Sequence, residues 1–167
     1  MRYHLKERIL SIKDDFVVRD DSGKELYDIK GDFLRIGDTW NLIDSQTREE
    51  VLFVKQRLFT HTREYNLIQN GTELATVRMQ SKGSETRFEG PVEVNTRDGM
   101  VIEIRGDFKE WDFDIVDAYG RLLGHISKEF AIMRDYYTVD TAPQVDGPFM
   151  IAIAIILDEL KEDHLVK

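Results

Sequence analysis

Between Asp107 and Asp117 the sequence places five carboxylates within eleven residues: Asp107, Glu110, Asp112, Asp114 and Asp117. Read as one strand, Glu110, Asp112 and Asp114 share a face, and hard oxygen donors of this kind suit Ca²⁺ or Mg²⁺. Paired carboxylates are also the residue type for general acid–base work. Strand geometry opposes both readings. Residues two apart on a strand lie about 7 Å from one another, too wide for one ion without help from a loop. The expectation is a solvated outer face, with Trp111 and Phe113 turned inward, no catalytic residue, no metal and no cofactor.

The second group is basic. Residues 51–90 hold six bases (Lys55, Arg57, Arg63, Arg78, Lys82 and Arg87) against four acids, leaving +2 there and −11 on the remainder of a chain whose net charge is −9. Lys55 and Arg57 share a strand face, and so do Arg78 and Lys82 if their strand runs that far. Lys55, Arg57, Arg63, Arg78 and Lys82 are therefore the candidate site for a phosphate or an anionic headgroup, set against the plainer reading of ordinary surface basicity. The net charge counts against nucleic acid as a general partner, since the mean field repels phosphate and no basic, aromatic-interleaved stripe occurs.

Other chemistries lack their residues. There is no cysteine, which removes disulfides, thiolate metal sites and thiol nucleophiles, and which suits a reducing, cytoplasmic setting. His4, His61, His125 and His164 are scattered without a His-Glu-x-x-His pair. No Gly-x-Ser-x-Gly, Walker A or Gly-x-Gly-x-x-Gly motif is present, and Ser84 in Lys82-Gly-Ser-Glu reads as a turn residue.

The elements that must carry these residues are mostly strands. Up to about residue 140, β-branched and aromatic residues alternate in short runs. Turn signals at Asp21-Ser22-Gly23, Asn70-Gly71, Asp98-Gly99 and Tyr119-Gly120 separate them. The tail differs. After the loop 141–148, Pro148 suits a first helical turn, and Phe149 to Leu160 is apolar nearly all round until Asp158. Nine apolar residues make about 14 Å of helix, half of what a bilayer core requires, so no transmembrane segment is expected. Such a helix belongs inside something, and the alternating strands supply apolar faces that need a filler. The pattern predicts a mainly β protein: a closed or nearly closed barrel around a buried helix over about 148–160, with Phe149, Ile151, Ile153, Ile155, Ile156 and Leu157 as its core. Closure also removes edge strands. No linker divides residues 1–167, which read as a single domain.

A faint internal repeat accompanies this. Ile29-Lys-Gly-Asp-Phe33 returns as Ile104-Arg-Gly-Asp-Phe108, Ile43-Asp44 as Val116-Asp117, and Arg48 as Arg121. Two similar halves of one barrel explain the shared strand and turn positions.

In that order of elements the chain resembles the LURP-one-related family, in its bacterial, YxjI-like branch. The resemblance rests on Phe16-Val-Val-Arg-Asp-Asp-Ser-Gly-Lys-Glu-Leu-Tyr27, Ile29-Lys-Gly-Asp-Phe-Leu-Arg-Ile-Gly-Asp38, Glu103-Ile-Arg-Gly-Asp-Phe108, Ile126-Ser-Lys-Glu-Phe130 and Asp135-Tyr-Tyr-Thr-Val-Asp140 with the apolar tail behind it. It implies the fold shared by the tubby C-terminal domain and the phospholipid scramblases, roughly a dozen strands around a C-terminal helix. Tubby relatives bind phosphoinositides through a basic pocket and scramblase relatives act at membranes, but neither set of functional residues can be matched here. The expected function is therefore a non-catalytic binding or scaffold module, monomeric and cytoplasmic, meeting a protein partner or an anionic phospholipid headgroup. The alternatives are an enzyme using surface carboxylates or a divalent metal and, behind it, a nucleic-acid binder.

Overall fold

The computed structural model describes residues 1–8, 15–32, 37–79, 91–130 and 135–165. Twelve strands follow one another: β1 (Arg2–Glu7), β2 (Phe16–Arg19), β3 (Glu25–Asp32), β4 (Thr39–Asp44), β5 (Glu50–Arg57), β6 (Arg63–Gln69), β7 (Thr72–Met79), β8 (Val92–Thr96), β9 (Val101–Asp107), β10 (Asp112–Val116), β11 (Leu122–Phe130) and β12 (Asp135–Thr141). Each pairs antiparallel with its sequence neighbours, and β1 pairs with β12, Leu5 opposite Tyr137, so the sheet closes into a barrel. Up-and-down order puts successive connections at opposite ends. The strand ends that lead from β1 to β2, β3 to β4, β5 to β6, β7 to β8, β9 to β10 and β11 to β12 lie at one rim, and the tight turns form the other.

Local chemistry explains the second rim. Asn70 and Gly71 take φ values of 50° and 75°, the left-handed pair that a two-residue hairpin requires. Asp20 caps the β2–β3 turn by accepting the Ser22 and Lys24 amides at 2.9 and 3.0 Å.

One helix, α1 (Gly147–Leu165), follows β12. Asp146 caps it, its side chain accepting the Phe149 amide at 3.2 Å. Every residue from Met150 to Leu157 is at most 3% exposed. Eight consecutive buried residues cover all sides of a helix, so α1 fills the barrel and its C-terminal end leaves at the rim of the longer connections. Ile151, Ile153, Ile155, Ile156 and Leu157 are buried as the sequence predicts; Phe149 is only partly buried, because it lies in the first turn at the mouth. The helix also runs past the expected residue 160, to Leu165.

The two halves are alike in detail. β3 and β9 stand six strands apart, as do β4 and β10; Gly31 opposes Trp40, and Gly106 opposes Phe113. The Gly23 amide donates to Asp20 O at 3.0 Å and the Gly99 amide to Thr96 O at 3.1 Å. Asp44 Oδ1 accepts the Gln46 amide at 2.8 Å, and Asp117 Oδ1 accepts the Tyr119 amide at 2.9 Å. Gly106 has a packing reason: a Cβ there would lie 2.1 Å from the Asp112 carbonyl oxygen.

Candidate functional site: a guanidinium pair on the barrel wall

The basic residues of β5–β7 divide between the two faces of the sheet. On β5, Leu52 and Val54 point into the barrel, so Lys55 and Arg57 point out. On β6, Tyr65 and Leu67 point in, and Arg63 goes with them; it donates to the Tyr65 phenol oxygen at 3.2 Å at the barrel mouth. Arg63 is thus separated from the outer-face set, because an offset of six from Arg57 crosses a turn that the sequence does not reveal. Lys82 lies outside the described residues.

Arg57 and Arg78 meet on Glu64, a residue that the spacing of bases gave no reason to select. Glu64 stands directly opposite Arg57 on β5 and opposite Arg78 on β7. Arg57 Nη1 donates to Glu64 Oε2 at 3.1 Å, Arg78 Nε donates to Oε1 at 2.8 Å, and the Thr62 hydroxyl donates to Oε1 at 2.9 Å. The Glu64 side chain is 8% exposed, while those of Arg57 and Arg78 are 49% and 39% exposed. A carboxylate taken out of water needs such partners. In return it holds two half-exposed guanidiniums at the surface. Lys55 is exposed, two residues along β5, and has no hydrogen bond or ion pair among the described residues. Glu93 stands opposite Arg78 on β8, where Asn95 donates to it at 2.9 Å, so the positive strip ends there.

Next to this wall, the β5–β6 connection presents Leu58 and Phe59. Leu58 Cδ2 would lie 3.3 Å from a Cβ on Gly37, so Leu58 leans on the neighbouring connection. Phe59 takes φ 59° and is fully exposed. The Thr60 hydroxyl donates to Thr62 O at 2.5 Å and closes the bend.

The acidic candidates behave differently. Trp111 takes φ 55°, so β10 begins only at Asp112, and Glu110 lies in the preceding turn rather than on the strand face that alternation suggested. Asp112 and Asp114 do share the outer face, and His125 on β11 lies between them, Nε2 2.7 Å from Asp112 and Nδ1 2.8 Å from Asp114. With each ring nitrogen against a carboxylate, neither is open to a substrate. Among the described residues, no group of three His, Cys, Asp or Glu side chains could hold a metal ion. Trp111 and Phe113 are buried, as expected, and join Phe108, Tyr137 and Phe16 in an edge-to-face aromatic cluster.

Elsewhere the wall repeats the theme of a carboxylate flanked by guanidiniums. Asp28, also buried, accepts from Arg8 and Arg48 at 2.5 Å each. Burial works to raise the Asp28 carboxyl, but the Arg48 and Arg8 hydrogen bonds outweigh it and hold it below the ordinary carboxylate range. At the mouth, burial pushes the Tyr65 phenol up to about 12 despite the opposing Arg63 charge.

Together these features define a class: a helix-filled antiparallel β-barrel of two similar halves whose polar clusters sit on its outer wall and rims. Comparison with known proteins agrees. The LURP-one-related family model matches residues 1–158, and the chain belongs to that family. It is similar to YxjI of Bacillus subtilis, 25% identical over 154 residues that cover 92% of this chain and 90% of that one. It also shares its fold with an Arabidopsis thaliana protein of known X-ray structure, at a TM-score of 0.67 and 16% identity, over 96% of this chain and 91% of the other. Among the described residues no helix is long and apolar enough to cross a membrane.

Proposed function

We propose that the protein is a non-catalytic binding module that engages anionic phospholipid headgroups through the outer wall of β5–β7. The observation that carries this reading is the Arg57–Glu64–Arg78 cluster, in which one buried carboxylate holds two half-exposed guanidiniums beside Lys55, which is exposed and unpaired among the described residues. Guanidinium forks match phosphate oxygens, and a pair fixed in advance loses less entropy on binding than free side chains do. The helix supports the reading by occupying the lumen, which turns recognition to the outer surface. The net charge of −9 is a long-range opponent, but at physiological ionic strength it is screened beyond about 8 Å, so the local strip governs contact.

Liposome flotation tests this directly. Vesicles of phosphatidylcholine alone and with phosphatidylserine are each used at low and physiological salt. Salt-sensitive flotation with the anionic vesicles alone is expected. No flotation in any condition overturns the reading.

A second reading, a protein partner, has its own observation. At the rim of tight turns Met100, Val101, Tyr119 and Leu122 are exposed, at 48%, 42%, 86% and 56%. At the corresponding places the first half of the barrel carries Lys24, Glu25, Gln46 and Glu49. Apolar residues at only one of two equivalent places suit a contact that only one half makes. Capture experiments with a Tyr119→Ser, Leu122→Ser variant as the blank address it.

A further inference from the structure

We infer that Phe59 is a membrane-insertion tip: the β5–β6 connection lays its aromatic ring into the interfacial layer of an anionic bilayer while Lys55, Arg57 and Arg78 meet the headgroups. This rests on the headgroup reading and adds the depth and the residue. Phe59 is fully exposed, and it is the apolar residue of this connection for which the fold finds no internal use, since Leu58 leans on Gly37. Its φ of 59° is a left-handed conformation, costly for a bulky L residue, and such strain concentrates where a side chain is displayed for a purpose. The neighbours select the occupant. Arg57 precedes the connection and Arg63 ends it, Lys55 lies two residues back along the strand, and Arg78 flanks them across β6. An apolar tip flanked on the wall side by Lys55, Arg57 and Arg78 complements a surface that is anionic outside and apolar beneath, and an aromatic ring suits the layer between. The tip and the bases share one rim, so the same approach brings both to the membrane.

The test is Phe59→Trp, mixed with phosphatidylcholine–phosphatidylserine vesicles whose acyl chains are brominated. Trp40 and Trp111 are buried in the core, so their emission in the wild type supplies the blank. A blue shift and quenching of the added emission, only with anionic vesicles, is the expected result. Flotation of this variant without shift or quenching overturns the insertion and leaves the headgroup reading standing; no flotation of the wild type overturns both. Phe59→Asn is the companion, because asparagine accepts the left-handed conformation. It is expected to melt no lower than the wild type and to lose about tenfold in vesicle partitioning. Undiminished partitioning of Phe59→Asn overturns the inference.

Discussion

Lys55→Glu is the perturbation that best isolates the charge on the barrel wall. Lys55 is exposed and unpaired among the described residues, so replacing it breaks no hydrogen bond or ion pair among them and leaves Glu64 with both of its arginines. A basic side chain close to an anionic surface contributes about 1 kcal/mol, so reversal removes one attraction and adds one repulsion, about 2 kcal/mol in all. That is about a 30-fold loss of partitioning. The loss must shrink as salt rises, because the Debye length falls from about 8 Å near 0.15 M to about 3 Å at 1 M. Lys24→Glu is the control. It makes the same change in net charge in the turn between β2 and β3, at the opposite rim and about 20 Å away for strands of this length and tilt. Flotation across a salt series compares the two variants. Equal losses would show that net charge alone drives binding, and the assignment to the β5–β7 wall would fall. Unchanged partitioning of Lys55→Glu would refute the headgroup site outright.

Other outcomes follow from the packing. Ile153→Ala removes a fully buried side chain from the middle of a helix enclosed by a closed sheet, which cannot collapse onto the gap; a loss of about 4 kcal/mol in urea unfolding is expected, and under 1 kcal/mol would contradict the enclosure. Ile153→Asp, with an unpaired charge on the same axis, is expected to yield no folded protein by circular dichroism. Gly106→Ala pushes a methyl group into the Asp112 carbonyl and is expected to lower the melting temperature clearly, whereas Gly23→Ala, with open space around it but φ 86°, costs only backbone strain. The Tyr65 phenol is raised from 10.0 to about 12, so its neutral form is favoured in the folded state. The stability this gives is complete below pH 10 and is lost as pH rises through about 12. Alkaline unfolding should therefore shift to lower pH on any change that exposes Tyr65, and a Tyr65→Phe protein should lack that transition component in the tyrosinate absorbance. Lys128 and Asp158 form a buried pair at 3.7 Å, with the Tyr137 hydroxyl donating to the same carboxylate. Removing Lys128 alone as Lys128→Met is expected to cost about 3 kcal/mol, and most of it is expected to return in Lys128→Met, Asp158→Asn; additive losses in a double-mutant cycle would refute the pairing.

How far the sequence disclosed all this depends on which physical scale each feature uses. Alternation is a property of one strand, so the inward set from Leu52 to Val77 and the outward Lys55 and Arg57 are readable without a partner. The helix is readable for the same reason: Met150–Leu157 is apolar on every side and has only one place to go. Turn glycines mark the hairpins, and up-and-down order follows from them. What one strand cannot disclose is register. Glu64 is one of four acids in residues 51–90, and only the β5–β6 and β6–β7 pairings put it opposite two arginines. The same ignorance placed Arg63 with Arg57, although the connection between them consumes residues in a way that turns Arg63 to the mouth. Alternation also overreached at Glu110, because Trp111 turns left-handed, which no spacing rule signals.

The buried carboxylates carry the argument one step further. Asp28 and Glu64 each sit on the outer wall, out of water, under two arginines whose heads stay in it. A buried carboxylate has acceptor room for both, since its two oxygens offer about four lone-pair sites. Two arginines on one acid leave a net positive charge and unspent donors at the surface. On the proposed headgroup reading, that surplus is what would meet an anion in a chain that is otherwise acidic, held at fixed points rather than spread over flexible lysines. Each cluster has an exposed lysine two residues along a strand, Lys30 beyond Asp28 and Lys55 before Arg57, but among the described residues only the Glu64 cluster also has an exposed aromatic tip at its rim. If the wall meets a membrane, Asp28→Asn should therefore leave partitioning nearly intact, while Glu64→Gln, which frees both guanidiniums from their fixed positions, should change the headgroup preference of binding along with its strength.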